Sequence, residues 1–175
     1  MLFTTHAIVG TAIGAALQDP SLGFLGGFLS HHILDGMPHF DQGSFYTIKS
    51  GAPYLGQKRI PEEMNGGWIK RDWNMLFADW FLSGIAFVAI FYYSPLNFWV
   101  PLAGGALGGL MPDIIDSSPL WSKGLRAKIK SIAAYHKFHT FFHWTVTYKE
   151  MLWGVATQLA VILISLIYIA LYMPR

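Results

Sequence analysis

The chain has 175 residues, of which 53% are hydrophobic and 13% are charged, and its mean hydropathy is +0.39. Soluble domains carry about a quarter charged residues, so these charges are too few to cover a globular surface. The composition excludes a soluble domain and a disordered chain, and the lack of cysteine excludes disulfides, cysteine-zinc sites and thiol catalysis. A net charge of +2 does not favour a nucleic-acid partner.

Five apolar segments predict the fold class, an all-α membrane protein with about five membrane-embedded helices in one bundle. About 20 helical residues span a bilayer core, and a helix satisfies its own backbone groups in lipid. The third and fifth segments meet this length, whereas the other three are short and Gly-rich, and the fourth is predicted to end at Pro112. The five segments are 1–17, 21–37, 73–93, 96–111 and 152–172.

Two long polar loops, 38–72 and 112–150, predict the orientation of a single integral membrane domain covering residues 1–175. They contain 11 of the 12 Lys and Arg residues. Because positive charges mark cytoplasmic loops, both loops and the N-terminus are predicted to be cytoplasmic. The first loop contains a surface loop or lid at 46–67, and the second is predicted to contain an interfacial helix.

Histidines and acids are predicted to meet at the cytoplasmic end of the bundle. His31, Asp35 and His39 recur every four residues, which places them on one helical face. Ionisable groups at membrane depth are functional candidates, and imidazole with carboxylate favours zinc, with manganese or iron as alternatives. The number of candidates allows one to three ions. The candidate metal ligands are His6, His31, Asp35, His39, Asp113, Asp116, His136, His139 and His143.

Structural interpretations compete with this metal site. The buried His31 and Asp35 pair can be structural, and Asp113 or Asp116 can cap the helix that follows Pro112. Segment 136–143 can instead form an amphipathic helix in the headgroup region.

Two glycine-containing segments are also spaced alike. Segment 26–29 lies as far before Asp35 as segment 104–107 lies before Asp113. The second segment and its aspartate are each 78 positions after the first. This internal similarity predicts two similar helical hairpins whose glycines permit close helix packing.

Four motifs resemble a known family. Thr5-His6, the 30–35 segment Ser-His-His-Ile-Leu-Asp, the 111–116 segment Met-Pro-Asp-Ile-Ile-Asp and the 136–143 histidines resemble the small bacterial inner-membrane metal-dependent hydrolases, one member of which is controlled by the DNA-damage repressor. The helical His-x-x-x-Asp pattern is more distantly similar to the zinc phospholipase C and single-strand nuclease fold, which holds three zinc ions. The resemblance implies a multi-pass protein of a bacterial inner membrane and a hydrolytic metal site.

The family's motifs match this chain unevenly. Ser30, His31 and Asp35 match its Ser-His-x-x-x-Asp motif, and Asp113 and Asp116 match its Pro-Asp-x-Asp motif with one extra residue between the acids. His136 and His139 match the family's His-Arg-Gly-x-Thr-His-Ser motif poorly, because Lys137 stands in place of its Arg, its Gly is missing and the spacing of the two histidines differs.

The leading functional hypothesis is a metal-dependent hydrolase of phosphate esters, phospholipid-like or nucleotide-like, at the cytoplasmic leaflet. Asp116 or Asp79 is the predicted catalytic base. The alternative is a non-enzymatic subunit of a larger membrane complex, with a structural His/Asp metal site. Membrane lipids are the expected partners in either case. A transporter is less favoured because the polar groups cluster at one face.

Overall fold

The computed structural model describes residues 1–46 and 69–173. Within these ranges the chain is helical, which confirms the all-α prediction. Segment 47–68, which holds most of the predicted loop or lid, lies outside the described residues. The described helices are α1 Phe3–Leu17, α2 Pro20–Asp35, α3 Lys70–Tyr93, α4 Trp99–Asp116, α5 Ser122–Lys128, α6 Lys130–Phe142 and α7 Met151–Tyr172.

Three of the helical stretches are long and apolar enough to cross a membrane. They are Lys70–Tyr93, Leu96–Asp116 and Tyr148–Tyr172, and α1 is a shorter apolar helix. These lengths agree with a membrane protein. The total of about five embedded helices and the cytoplasmic N-terminus stay predictions.

The fourth apolar segment does not end at Pro112 as predicted. Helix α4 continues to Asp116 with Pro112 inside it. Proline removes one backbone hydrogen bond, which neighbouring helices make tolerable in membrane segments. Asp113 and Asp116 therefore lie within α4, and neither caps α5, which follows Trp121. The alternative interpretation, in which one of them caps the next helix, is therefore wrong.

Glycines bring the backbones of α1, α2 and α4 into direct contact. A Cβ atom added to Gly105 would lie 2.0 Å from the carbonyl oxygen of Gly10. One added to Gly27 would lie 2.2 Å from the carbonyl oxygen of Gly105. Gly27 and Gly105 belong to the two similar segments, so the close packing predicted from those glycines is confirmed. Small residues allow this approach between membrane helices.

Asp79 joins α3 to the beginning of α1. Its carboxylate accepts hydrogen bonds from the backbone N–H groups of Phe3 at 2.7 Å and Thr4 at 3.0 Å. The Thr4 hydroxyl also donates to it at 2.6 Å. Because the first N–H groups of a helix have no partner within it, Asp79 supplies the acceptor that α1 needs. This contact fixes the start of α1, one turn before His6.

One buried amide from α7 links two distant segments. Gln158 accepts a hydrogen bond from the backbone N–H of Leu2 at 3.0 Å and donates one to the carbonyl of Phe40 at 2.8 Å. Gln158 is 3% exposed, although it belongs to a strongly apolar helix. Phe40 directly follows His39, and Leu2 lies four residues before His6.

The segment after α2 pairs with the segment after α6. The backbone N–H of His39 donates to the carbonyl of Trp144 at 3.1 Å, and Val146 donates to the carbonyl of His39 at 2.9 Å. The backbone N–H of Trp144 also donates to the carbonyl of Asp35. These bonds place His39 and His143 beside each other.

Candidate metal centre

The centre of the site is the carboxylate of Asp35, at the end of α2. Its Oδ1 lies 3.1 Å from Nε2 of His6 in α1, and its Oδ2 lies 3.1 Å from Nε2 of His31, one turn earlier in α2. All three residues are fully buried. The amino group of Met1 also contacts Asp35. Helices α1 and α2 therefore direct two imidazoles onto one buried carboxylate.

Helix α6 adds a third imidazole to this carboxylate. Nε2 of His139 lies 3.1 Å from Oδ2 of Asp35 and 3.1 Å from Nε2 of His31. Two imidazole nitrogens at this separation share either a proton or a cation, because two lone pairs repel each other. His31, Asp35 and His139 therefore form a compact donor set suited to a cation.

Among the described residues, three overlapping groups of donor atoms meet the distance requirement for binding a metal ion. In each group the three atoms lie within 4.8 Å of one another. His31 belongs to two groups and Asp35 belongs to two, so the groups form one continuous chain. The groups are His6 with His31 and Asp113, His31 with Asp35 and His139, and Asp35 with His39 and His143.

Hydrogen bonds to backbone carbonyls orient two of these histidines. Nδ1 of His31 lies 2.7 Å from the carbonyl oxygen of Gly109, and Nδ1 of His39 lies 2.8 Å from that of Met37. A carbonyl only accepts, so each Nδ1 carries the proton. A neutral imidazole in this state has its lone pair on Nε2, which faces the donor groups. Metal-binding histidines are commonly held this way.

Asp116 holds the third histidine from the side opposite Asp35. Its carboxylate lies 3.0 Å from Nδ1 of His139 and 2.8 Å from Nδ1 of His136, and Arg126 donates to it at 3.1 Å. Carboxylate–histidine pairs of this kind orient metal ligands. Asp116 and His136, both predicted ligands, lie outside the three groups of donor atoms found among the described residues.

Replacing Asp116 with Asn is expected to weaken zinc binding by about 10- to 100-fold, the usual cost of losing a group that orients a ligand. The amide keeps the size of the side chain but no longer provides a carboxylate for His139. Isothermal titration with zinc measures the affinity. The control is Glu150→Gln, which removes one negative charge from the loop that precedes α7.

If Asp116 were instead the catalytic base, as the sequence predicts, the outcome would differ. The variant would bind zinc with unchanged affinity and lose only the rate of hydrolysis.

Asp41 is part of the site and is not among the residues that the sequence predicts. Its Oδ2 lies 3.1 Å from Nε2 of His39 and accepts from the Thr145 hydroxyl at 3.2 Å. Its Oδ1 is buried and has no hydrogen-bond partner among the described residues. The sequence signal was present, because Asp41 follows His39 by two residues. The contact with Thr145 depends on the pairing of two distant segments.

Burial and neighbouring charges shift the pKa values of the site residues outside the membrane-length helices in different directions. Burial alone lowers the pKa of His139, but hydrogen bonds to Asp116 and Asp35 outweigh it and raise this pKa to about 9. Burial lowers the pKa of His143 well below its usual value, despite the nearby Asp35. Burial raises the pKa of Asp41, but the contact with the His39 imidazole outweighs it, and the net shift is downward. In the metal-free protein His139 therefore carries a positive charge between two carboxylates, which a divalent cation can replace.

The remaining predicted residues lie around this centre. Oδ1 of Asp113 is 3.8 Å from Nε2 of His31, and Nε2 of His143 is 3.5 Å from Oδ2 of Asp35. Asp79 accepts the hydrogen bonds at the start of α1 and belongs to none of the three groups of donor atoms found among the described residues. A catalytic role for Asp79 stays a prediction.

Comparison of the chain with protein families, with curated proteins and with solved structures found no match. The resemblance to bacterial membrane hydrolases therefore remains a hypothesis carried by the motifs alone.

Proposed function

We propose that the protein is a membrane-embedded metal-dependent hydrolase of phosphate esters. The observation that carries this proposal is the sharing of His31 and Asp35 between overlapping groups of donor atoms. A shared carboxylate suits two ions held close together, and paired ions are typical of enzymes that cleave phosphate esters. Imidazole and carboxylate donors favour zinc, with manganese or iron as alternatives.

The proposed reaction is hydrolysis by water. The water oxygen forms a bond to phosphorus, the ester bond between phosphorus and oxygen breaks, and a proton passes to the departing alcohol. Bound divalent ions activate water and polarise the phosphoryl oxygen. The protein orients its donors, through Gly109 for His31 and Asp116 for His139.

Basic residues near the site favour an anionic substrate. Residues 117–149 contain no Asp or Glu. Arg126, in α5, donates to Asp116 beside His139. Positive potential at the mouth of a site attracts phosphate esters. The basic residues of this segment are Lys123, Arg126, Lys128, Lys130, Lys137 and Lys149.

We propose the cytoplasmic leaflet of a bacterial-type inner membrane as the place of this reaction. The support is the concentration of Lys and Arg in the two long loops. The side chains of Asp113 and His143 are 16% and 14% exposed, so protein atoms do not enclose the centre completely.

Hydrolysis by detergent-purified, zinc-loaded protein tests the proposal. We expect phosphate-ester cleavage that stops on addition of a chelator and returns when zinc is restored. The substrates are a phospholipid, a nucleotide diester and a water-soluble aryl phosphodiester. An absence of metal-dependent cleavage across these substrates contradicts the proposal.

A structural metal site within a larger membrane complex is the second candidate. The observation that favours it is the complete burial of His6, His31, Asp35 and His39. A structural ion is surrounded by protein ligands, whereas a catalytic ion keeps a position for water. X-ray absorption spectroscopy of the zinc-loaded protein distinguishes the two, because an additional oxygen from water indicates a catalytic site.

A further inference from the structure

The outer face of α2 carries a continuous apolar stripe. Leu22, Leu25, Leu29 and Ile33 recur at intervals of three or four residues, and each is more than half exposed. A row of exposed aliphatic side chains in a membrane helix faces acyl chains. The stripe runs to Ile33, directly beside the turn that carries the metal-binding residues. With α2 embedded in the bilayer, as the sequence predicts, acyl chains along this stripe would extend to the level of the metal centre.

Aromatic side chains fill the space between α2 and α6 at the same level. We call this group the aromatic cluster. The ring of His32 lies 5.1 Å from that of Phe138 and 6.0 Å from that of Phe142, and Phe28 is stacked on Tyr135 at 6.2 Å. The members of the cluster are Phe28, His32, Tyr135, Phe138 and Phe142.

The aromatic cluster connects the outer surface with the metal centre. On its inner side, the ring of His32 lies 5.5 Å from the rings of both His31 and His139. On its outer side, Phe138 of α6 is 49% exposed. A single layer of aromatic side chains therefore separates the outer surface from the candidate ligands His31 and His139.

Positive charge lies on the same helix as part of the aromatic cluster. Helix α6 carries exposed lysines at positions 130 and 137, on the side of the helix turned away from Tyr135. Lysines near a membrane surface attract anionic headgroups, each contributing about 1 kcal/mol. The apolar stripe, the aromatic cluster and these lysines thus match the two parts of an anionic phospholipid.

We propose that the substrate of the hydrolase is an anionic phospholipid that approaches the metal centre from within the bilayer, between α2 and α6. This inference rests on the proposed function and names its substrate class. The acyl chains lie along the stripe of α2, and the headgroup phosphate passes the aromatic cluster toward His31 and His139. Water attacks the phosphorus, one phosphate ester bond breaks, and the proton goes to the departing alcohol.

A paired-substrate assay tests this route. The variant carries Ile33→Gln and Phe138→Gln, which place polar groups along the path without touching a metal ligand. The substrates are phosphatidylglycerol in vesicles and a water-soluble aryl phosphodiester. We expect the rate on phosphatidylglycerol to fall by about tenfold, since apolar contact with the acyl chains is lost, while the rate on the soluble ester is unchanged.

The matched control carries Val88→Gln and Phe77→Gln, two apolar positions on α3 with exposures similar to those of Ile33 and Phe138. It is expected to cleave both substrates at the wild-type rate. Equal losses on both substrates in the test variant would overturn the route, because they would show general damage to the site. An unchanged rate on phosphatidylglycerol would also overturn it.

Photo-crosslinking keeps this inference separate from the proposed function, because it needs no turnover. The probe is phosphatidylglycerol with a diazirine at the end of one acyl chain, compared with the same probe built on phosphatidylcholine. We expect the anionic probe to be enriched over the zwitterionic one on α2 and α6, relative to the exposed faces of α3 and α7. Equal labelling by both probes overturns the inference, even if the protein hydrolyses soluble esters.

Discussion

Replacing Asp35 with Asn is expected to lower zinc affinity by more than a hundredfold and to abolish hydrolysis. Asp35 belongs to two of the three overlapping groups of donor atoms, and its two oxygens face different imidazoles. Losing a group that only orients a ligand costs about 10- to 100-fold in affinity, so losing a shared ligand costs more. Elemental analysis of the purified variant measures the bound zinc, and titration calorimetry measures the affinity.

The control for this variant is Asp19→Asn at the opposite end of α2. Asp19 accepts hydrogen bonds from the backbone N–H groups of Ser21 and Leu22, and asparagine caps helices equally well. This control is expected to bind zinc like the wild type. Full zinc content in the Asp35 variant would contradict the proposal, because it would show that zinc binds at another place in the protein.

Replacing Gly105 with Ala is expected to destabilise the protein by about 3 kcal/mol, near the upper end of the cost of overpacking. The added methyl group would meet backbone atoms of Gly10 and Gly14 at 2.0 and 2.7 Å. Backbone cannot rotate away as a flexible side chain can, so α1 and α4 must separate. Thermal unfolding in detergent measures the loss.

Zinc affinity should fall in the same variant, because α1 carries His6 and α4 carries Asp113 and the carbonyl that orients His31. The matched control is Gly84→Ala in α3, where no atom of the described residues beyond the local helix backbone and the two chain neighbours lies within 4 Å of the added methyl group. Alanine favours helix over glycine, so this control is expected to be at least as stable as the wild type. Equal stability of both variants would contradict the close packing of α1 and α4.

Local spacing was enough to predict the part of the site that lies on one helix. His31 and Asp35 are one turn apart, so their contact follows from helical geometry once α2 forms. The glycines of α2 and α4 predicted close helix packing because only small residues permit it in a membrane. The histidine spacing in α6 placed His136 and His139 on one face, where both contact Asp116.

The positions of the other site residues depend on tertiary contacts, which local sequence spacing does not predict. The positions of His39 and Asp41 depend on backbone pairing with residues more than 100 positions away. Asp116 can orient His139 because α4 continues past Pro112. The low helix propensity of proline had predicted that this helix ends before Pro112. Local sequence patterns contain no information on which distant segment supplies a hydrogen bond.

The amide of Gln158 gives the last helix a role that its apolar composition conceals. Through this one side chain, α7 binds the backbone of Leu2, which precedes α1, and the backbone of Phe40, which follows His39. These two hydrogen bonds hold the two segments at a fixed separation. Another apolar helix of equal length could still insert into a membrane, but it would lack the hydrogen bonds to Leu2 and Phe40. Helix α7 is therefore not interchangeable with a generic transmembrane helix, and chimaeras in which it is replaced should retain membrane insertion while losing the alignment of His6 with His39.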